Sequence, residues 1–300
     1  MTPPPGPFDR NLLARRRARA AATVHRVAPL LDAAAHLLLD RLDDTTRQFD
    51  TALEVGGRGA VAPLLAARGI GFVVSSDLAP AMAARAGGVA VAADEEWLPF
   101  AAASFDLVVA SLSLHMVNDL PGALLQIRRV LRPDGLFLAT MPGFGTLQPL
   151  REALTAVESD LRGGAAPRVA PFATLQDAAG LLQRAGFALP VADLDRLDIA
   201  WRTPLGLLDD LRAAGEQAAL VARDRRTPPR ALFGAALARL AGAGGPIAAP
   251  LPLLVLTGWA PAPDQPKPAR PGSATIRLAD ALGVEEQSGG ETADPRRTRP

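Results

Sequence analysis

The stretch T-A-L-E-V-G-G-R-G at 51–59 decides the fold of this chain. Its first five residues form a short apolar run that is typical of a buried strand. The glycines that follow let the backbone turn sharply and approach a ligand without a Cβ in the way. A helical pattern, A-V-A-P-L-L-A-A-R at 60–68, begins directly after the turn. Strand, glycine turn and helix in this order predict the first unit of a parallel sheet.

The same alternation continues on the C-terminal side of this unit. Strands that alternate with helices imply right-handed crossovers and a doubly wound sheet, whose ligands bind beyond the carboxyl ends of the strands. The predicted fold class is therefore α/β, with a Rossmann-like sheet. Further strands are expected at 71–76, 88–93, 104–112, 136–141 and 250–259, helices at 78–86 and 118–131, and a turn at 133–135.

The sequence divides into four segments. Leucines at helical spacing predict an N-terminal helical segment at 1–45, followed by the sheet core at 46–142. Residues 143–260 read as a helical insertion followed by a closing strand. The tail at 261–300 is rich in proline, glycine and charge, and we expect it to be disordered because it has little apolar surface to bury.

Composition excludes several classes of function. Basic and acidic residues nearly balance, with 32 of one and 31 of the other, which gives no electrostatic footprint for nucleic acid. The absence of cysteine excludes disulfides, thiolate metal sites and cysteine nucleophiles. Three scattered histidines form no recognisable metal-ligand set, so we expect no metal site. No apolar run is long enough for a transmembrane segment, although peripheral membrane association is not excluded.

The location follows from the N-terminal residues. They contain no apolar stretch of signal-peptide length, which favours a cytoplasmic protein. Their arginines are also compatible with a mitochondrial transit peptide, so the mitochondrial matrix is the alternative.

The glycine loop alone allows more than one interpretation. It is compatible with an ordinary turn between strand and helix. It also fits the dinucleotide pattern G-x-G-x-x-A through Gly57, Gly59 and Ala62, with Asp77 at the end of the next strand as an acceptor for ribose hydroxyls. A single match of this kind is weak, and both interpretations stay open on the loop alone.

Motifs further along the chain resemble those of class I S-adenosylmethionine-dependent methyltransferases. The runs A-D-E-E-W-L-P-F at 93–100, F-D-L-V-V-A-S-L-S-L-H-M-V-N-D-L at 105–120 and L-R-P-D-G-L-F at 131–137 follow one another in the order of that superfamily. The resemblance implies S-adenosyl-L-methionine as cofactor, bound by the core at 46–142. It assigns ribose binding to Asp77 and adenine binding to Asp94 or Glu95; with them the implied cofactor-binding set is Glu54, Gly56, Gly57, Gly59, Asp77, Leu78, Asp94, Glu95 and Ser111.

The resemblance is closest to one family within that superfamily. Together with F-D-R-N-L-L at 8–13 and T-G-W-A-P at 257–261, these motifs resemble the family of the mitochondrial complex I assembly factor, an arginine hydroxylase, and its alphaproteobacterial relatives. The malonyl-carrier-protein methyltransferase of biotin synthesis is similar at a greater distance. The resemblance implies a methyltransferase-type enzyme that modifies a protein substrate, a subunit of respiratory complex I. Its alternatives are arginine hydroxylation on the same fold and a non-catalytic assembly factor.

The sequence departs from the family pattern at the cofactor loop. The usual D-L-G-x-x-x-G stands here as E-V-G-G-R-G, one residue shorter and with Glu54 in place of aspartate. The usual G-M-G-E appears as A-A-G-E at 213–216. The shorter loop predicts weaker cofactor binding than in relatives with the full loop.

Two side chains are candidates for catalysis. His115 follows a strand end and should face the cleft, where an imidazole can act as a general base; a polar residue at the cleft edge is the alternative interpretation. Glu216 lies in the helical insertion and should be presented to the same cleft. The arginine-rich runs at 15–19 and 223–230 are either solvated surfaces or docking surfaces for an acidic partner.

Overall fold

The structure is a computed structural model, which describes residues 6–242, 244, 246–266, 273 and 276–284. The chain divides into two units, Met1–Ala262 and Pro263–Pro300. The predicted disordered tail at 261–300 lies largely outside the described residues. The described part of the second unit contains a helix, Leu278–Leu282.

The first unit contains a central sheet flanked by helices. The strands are β1 Thr51–Val55, β2 Phe72–Asp77, β3 Val89–Ala92, β4 Phe105–Ser111, β5 Leu131–Pro142, β6 Ala188–Leu197, β7 Ala200–Trp201, β8 Ile247–Ala248 and β9 Leu251–Trp259. The α-helices are α1 Arg10–Ala20, α2 Ala28–Leu39, α3 Val61–Ala67, α4 Pro80–Ala83, α5 Leu120–Val130, α6 Gln148–Arg162, α7 Leu175–Arg184, α8 Pro204–Ala213 and α9 Arg230–Ala241.

Strand order confirms the predicted doubly wound sheet. The sheet runs β3-β2-β1-β4-β5-β9-β6, and β1 to β5 are parallel. β9 inserts antiparallel between β5 and β6. The order reverses between β1 and β4, and the carboxyl ends of strands on either side of such a point form the usual ligand-binding crevice of this fold.

Two apolar layers cover the sheet. On one face, Leu124 and Ile127 of α5 and Leu182 of α7 pack in a core with β4 and β5. On the other face, α2 and α3 pack through Leu38 and Leu65. Every residue of β4 from Phe105 to Ala110 is buried, as expected for a parallel strand covered on both sides.

The insertion at 143–260 is not purely helical. The sequence interpretation missed β6, an edge strand whose side chains are mostly exposed. Exposure on both faces removes the apolar alternation that identifies a strand, and Pro190 is tolerated there because an edge strand leaves some N–H groups unpaired. The remaining helices α6, α8 and α9 share an apolar cluster of their own.

The turn predicted at 133–135 lies within β5 instead of before it. The pairing between β4 and β5 shifts register after Phe105, and Asp134 takes a φ of 60° in this irregular segment. Such a local bulge turns the strand without ending it. No helix in the described residues is both long and apolar enough to cross a membrane.

The core on the α5 side yields a matched pair of variants. Leu124 is fully buried and its neighbour Leu125 is 45% exposed on the same helix. Leu124→Ala should lower the free energy of unfolding by about 2–5 kcal/mol because it leaves a cavity, whereas Leu125→Ala should change it by about 0.5 kcal/mol or less. Urea unfolding of both variants measures the difference, and equal losses would contradict the packing of α5.

Candidate functional site

Four carboxylates cluster where β1, β2 and β3 end. Glu54 lies on β1, Asp77 is the last residue of β2, and Asp94 and Glu95 follow β3. The strand order places these three strands side by side, so their carboxyl ends share one edge of the sheet. Glu54, Asp77 and Glu95 are each no more than 2% exposed. The structure therefore brings the predicted acids to one edge, although they do not all face the same space.

Asp77 accepts a hydrogen bond from the described residues on one of its two carboxylate oxygens. Its Oδ1 accepts a hydrogen bond of 2.8 Å from the N–H of Ala79, whereas Oδ2 accepts none from the described residues. Burial raises the pKa of the Asp77 carboxyl, and the positive charge of Arg17 opposes that rise. A buried acceptor without a donor is costly, so this oxygen is suited to a ligand hydroxyl.

Arg17 of α1 lies between two of these acids. Its Nη2 is 3.2 Å from Asp77 Oδ2, and its Nη1 is 3.2 Å from Glu95 Oε1. The side chain is 3% exposed, and its Nε and Nη2 donate no hydrogen bond of good geometry to the described residues. Burial favours the neutral form, but the two carboxylates outweigh it and raise the pKa of Arg17. Arg17 thus compensates the charges of Asp77 and Glu95, but some of its N–H donors and one oxygen of Asp77 remain without a hydrogen bond to the described residues.

A second arginine of α1 covers the remaining acid. Arg10 Nη2 lies 2.6 Å from Asp94 Oδ1 and also contacts Glu95. Asp9 caps the helix through the N–H of Leu12, so α1 begins at this edge of the sheet. α1 thus covers the positions that the sequence assigned to ribose and adenine.

The glycine loop packs against the protein itself. Gly56 has a φ of +73°, and a Cβ built on it would lie 2.2 Å from the Cβ of Ser113. The N–H groups of Gly56 and Gly57 both donate to the carbonyl of Ser76, at 2.8 and 2.9 Å. The tight turn after β1 is therefore hydrogen-bonded to the end of β2. Position 56 requires glycine because its φ is positive and because Ser113 leaves no room for a Cβ.

Glu54 lies beneath this loop. Its carboxylate accepts a hydrogen bond from the hydroxyl of Ser75 on β2. Burial raises the pKa of Glu54, and the Ser75 hydroxyl and the N–H groups of Val61 and Ala62 at the start of α3 oppose that rise. The structure thus uses this carboxylate to link β1 to β2 beneath the loop.

The other predicted cofactor residues flank the same edge. A Cβ on Gly59 would approach the carbonyl of Arg85 at 3.0 Å, which places this glycine against the 3₁₀ turn after α4. Ser111 Oγ lies 3.4 Å from Thr140 Oγ1 on β5. Leu78 is half-buried beside the small apolar cluster that contains Leu13 and Met116.

His115 and Glu216 meet, although they are 101 residues apart in sequence. His115 Nε2 lies 2.8 Å from Glu216 Oε2, and the guanidinium of Arg58 contacts Glu216 Oε1. Burial would raise the pKa of Glu216, but Arg58 and His115 outweigh it and hold the pKa far below the ordinary value. Glu216 is therefore ionised at neutral pH and can only accept a hydrogen bond from His115, so the proton of the imidazole lies on Nε2. In a neutral ring, Nδ1 of His115 is then the acceptor.

Sequence reasoning missed Arg58 and the two arginines of α1. Arg58 is 5% exposed in its side chain and donates a hydrogen bond of 2.8 Å to the carbonyl of Leu112. Its position inside a loop directly after β1 was the signal available, because such loops border the ligand crevice. Arg10 and Arg17 are seven residues apart and so lie on the same face of α1. This spacing predicts that the two side chains point in the same direction, but it does not predict that either is buried.

A cavity of ≈ 1140 Å³ opens onto this second group. Arg58, His115 and Glu216 line it together with Leu112 and Phe172. The ring of Phe172 lies 6.2 Å from that of His115. Its other walls come from the insertion, from α1 and from residues 26–33, so the insertion surrounds the end of the sheet that carries His115. No group of three or more candidate metal ligands occurs among the residues that could be described.

Comparison with known proteins identifies the family of the chain. Residues 53–139 match the family described as methyltransferase domain. Arginine-hydroxylase NDUFAF5, mitochondrial, of Danio rerio is 34% identical over 287 residues, 91% of this chain and 88% of the relative. The chain belongs to the family of this arginine hydroxylase.

Two further comparisons extend beyond this arginine-hydroxylase family. A malonyl-(acyl-carrier protein) O-methyltransferase of Laribacter hongkongensis is 34% identical over 226 residues, covering 69% of this chain and 74% of the relative. The YcgJ protein from Bacillus subtilis shares the fold at a TM-score of 0.51 and 18% identity, covering 76% of this chain and 99% of its own. The predicted family and the Rossmann-like methyltransferase fold are confirmed, and the chain carries a methyltransferase domain.

The pairing of Glu216 predicts a pH-dependent loss of stability. Because the folded pKa of Glu216 lies below its ordinary value of 4.5, its stabilisation is complete above that pH and is lost as pH falls toward the folded pKa. Glu216→Gln should cost roughly 3 kcal/mol at neutral pH, since it leaves Arg58 buried without its carboxylate.

Urea unfolding at about pH 7 and about pH 3 measures this dependence. The difference between the wild type and Glu216→Gln should shrink at the lower pH. Glu152→Gln is the control, because Glu152 is exposed on α6 and only accepts from Gln148. A loss of equal size at both pH values would contradict the ionised pairing.

Proposed function

We propose that this chain is an S-adenosyl-L-methionine-dependent enzyme that modifies a protein subunit during the assembly of respiratory complex I. The observation that carries the proposal is the half-buried His115–Glu216 pair, which lies at the wall of a cavity large enough for a substrate side chain. Membership in the arginine-hydroxylase family and the methyltransferase domain support the class of reaction.

The acid edge fits the cofactor chemically. An ionised carboxylate accepts hydrogen bonds and donates none. The ribose hydroxyls and the adenine amine can each donate a hydrogen bond to such an acceptor. Asp77 would hold the ribose through Oδ2, which accepts no hydrogen bond from the described residues, and Asp94 or Glu95 would hold the adenine amine. When bound, S-adenosyl-L-methionine supplies an electrophilic methyl group.

Arg17 competes with that cofactor for the same acids. Its guanidinium lies 3.2 Å from Asp77, which would recognise the ribose, and 3.2 Å from Glu95, a candidate for recognising the adenine amine. Binding therefore requires Arg17 to leave, and the fraction of molecules with Arg17 displaced sets the apparent affinity. The short glycine loop and this arginine both lower affinity, by different means.

His115 is the residue that would accept the substrate proton. Glu216 holds the ring through Nε2, so the proton enters at Nδ1, which has no hydrogen-bond partner among the described residues. Arg58 keeps Glu216 ionised and thereby fixes this orientation. Glu216 and Arg58 are positioning residues in this scheme, and the general base is His115.

Hydroxylation on the same fold is the second candidate. It is favoured by the relative from Danio rerio, which is named an arginine hydroxylase, and by the two arginines that already neutralise the acid edge. A non-catalytic assembly factor is the remaining alternative from the family resemblance. The relatives are named as mitochondrial, so the mitochondrial matrix stands beside the bacterial cytoplasm as a proposed location.

Removing Arg17 should make the cofactor bind more tightly. Arg17→Gln should lower the stability of the free protein by roughly 3–5 kcal/mol, because Asp77 loses its cation and Glu95 keeps only Arg10. Saturating S-adenosyl-L-methionine should then raise the melting temperature of the variant more than that of the wild type.

Calorimetry with S-adenosyl-L-methionine and with NAD separates the possible outcomes. Arg16→Gln is the control, because Arg16 lies on the same helix and donates only to main-chain carbonyls, at 2.8 Å to that of Gln217. If Arg17→Gln binds less cofactor than the wild type, Arg17 is a ligand and not a competitor. Tight binding of NAD alone would refute the cofactor assignment.

The reaction itself is tested by intact mass. Complex I subunits from cells that lack this chain are compared with those from cells that express it. Methylation adds about 14 Da to one subunit and hydroxylation about 16 Da, by the masses of CH2 and O. Failed assembly with unchanged masses favours the non-catalytic factor, and unchanged masses with normal complex I would refute the proposal.

A further inference from the structure

Two arginine-rich segments that are 200 residues apart in sequence meet at the cavity. The first is the N-terminal segment that includes α1, and the second is the loop between α8 and α9. Phe8 pairs with Leu220 in an isolated antiparallel bridge, and the N–H of Asp9 donates to the carbonyl of Ala219 at 2.7 Å. Arg223 then pairs with Asp9 at 3.2 Å. These contacts hold both segments on the same side of the cavity.

Four exposed arginines of the cavity lining form no ion pair with the described residues. We call Arg15, Arg26, Arg225 and Arg226 the arginine rim; all four are exposed and line the cavity. None of them forms an ion pair within the part of the chain that the structure describes, in contrast to Arg223, Arg168 and Arg58. Unpaired cations that gather around one opening repel one another, which is unfavourable unless a ligand compensates them.

The cavity lining as a whole is positively charged, like the arginine rim. Among described residues, nine arginines and five carboxylates line the cavity, so the lining is positive although the whole chain has a net charge of only +1. The excess of positive charge is therefore concentrated at the cavity. A concave surface of one sign focuses its field on the opening and attracts ligands of the opposite sign.

The position of the reactive pair decides what kind of ligand fits. The cavity leads from the arginine rim to His115 and Glu216, whose side chains are 6% and 18% exposed. A flat membrane surface could contact the rim but not reach this pair. An extended polypeptide can place acidic residues on the rim and one side chain at His115.

We propose that the arginine rim binds an acidic segment of the protein substrate and so directs one neighbouring side chain to the His115–Glu216 pair. This inference rests on the proposed function for the identity of the modified group, but the binding step stands on the rim alone. The attraction should weaken as salt is added, because the rim is exposed to solvent.

The test compares two double variants with equal changes in net charge. Arg15→Glu with Arg226→Glu alters the rim, one residue from each segment. Arg19→Glu with Arg239→Glu alters exposed arginines on α1 and α9 that do not line the cavity. Fluorescence anisotropy measures the binding of a labelled peptide of alternating glutamate and alanine, with a glutamine–alanine peptide as the neutral control.

The rim variant should bind the acidic peptide at least about tenfold more weakly than the wild type, with a smaller salt dependence, and the outside variant should keep wild-type binding. Equal losses in both variants would mean that net charge alone attracts the peptide, which would overturn the proposal. The proposal would also be overturned if the wild type did not prefer the acidic peptide over the neutral one. Rim-dependent binding that is stronger to phosphatidylserine vesicles than to the peptide would overturn it as well.

Calorimetry with S-adenosyl-L-methionine on the same preparations separates this inference from the proposed function. Normal cofactor binding by a protein that ignores the acidic peptide refutes the rim alone. Rim-dependent peptide binding without any response to the cofactor leaves the docking surface in place and refutes the cofactor-dependent reaction. Circular dichroism confirms that both double variants are folded.

Discussion

The contact on which the site depends is that of Arg17 with Asp77 and Glu95. Three ionised groups are removed from water here, and a buried ion pair is stable only when its members stay together. α1 must therefore lie on the sheet edge whenever the acids are ionised and no other partner holds them. The N-terminal helix is thus bound to the core chiefly through the residues that the cofactor would need.

The same helix connects the acid edge to the reactive pair. Gly215 has a φ of +76°, and a Cβ built on it would lie 3.3 Å from the Cα of Arg17, so only a small residue lets α1 approach the end of α8. Glu216 follows directly and turns toward Arg58 and His115. A displacement of α1 therefore changes the packing of the residue next to Glu216 as well as the charge beside Asp77.

Much of the sheet could be predicted from sequence because its strands are buried. β1 and β4 are mostly apolar runs with clear breaks at their ends, and α5 has a polar cap and one apolar face. β6 lacked that signal because both of its faces are largely exposed. The acids at the strand ends were also predictable, but the buried position of Arg17 was not, since arginine is almost always a surface residue unless it is paired. The contact between His115 and Glu216 depends on how the insertion folds back, which no local pattern reveals.

The position of α1 also links cofactor binding and substrate binding under the two proposals. Arg17 on one face of the helix competes for the cofactor acids, and Arg15 on another face belongs to the arginine rim. A helix moves largely as one body, so an acidic segment held by Arg15 changes the free energy needed to withdraw Arg17. Linkage requires the effect to be reciprocal: a cofactor that displaces Arg17 changes the affinity of the rim by the same factor.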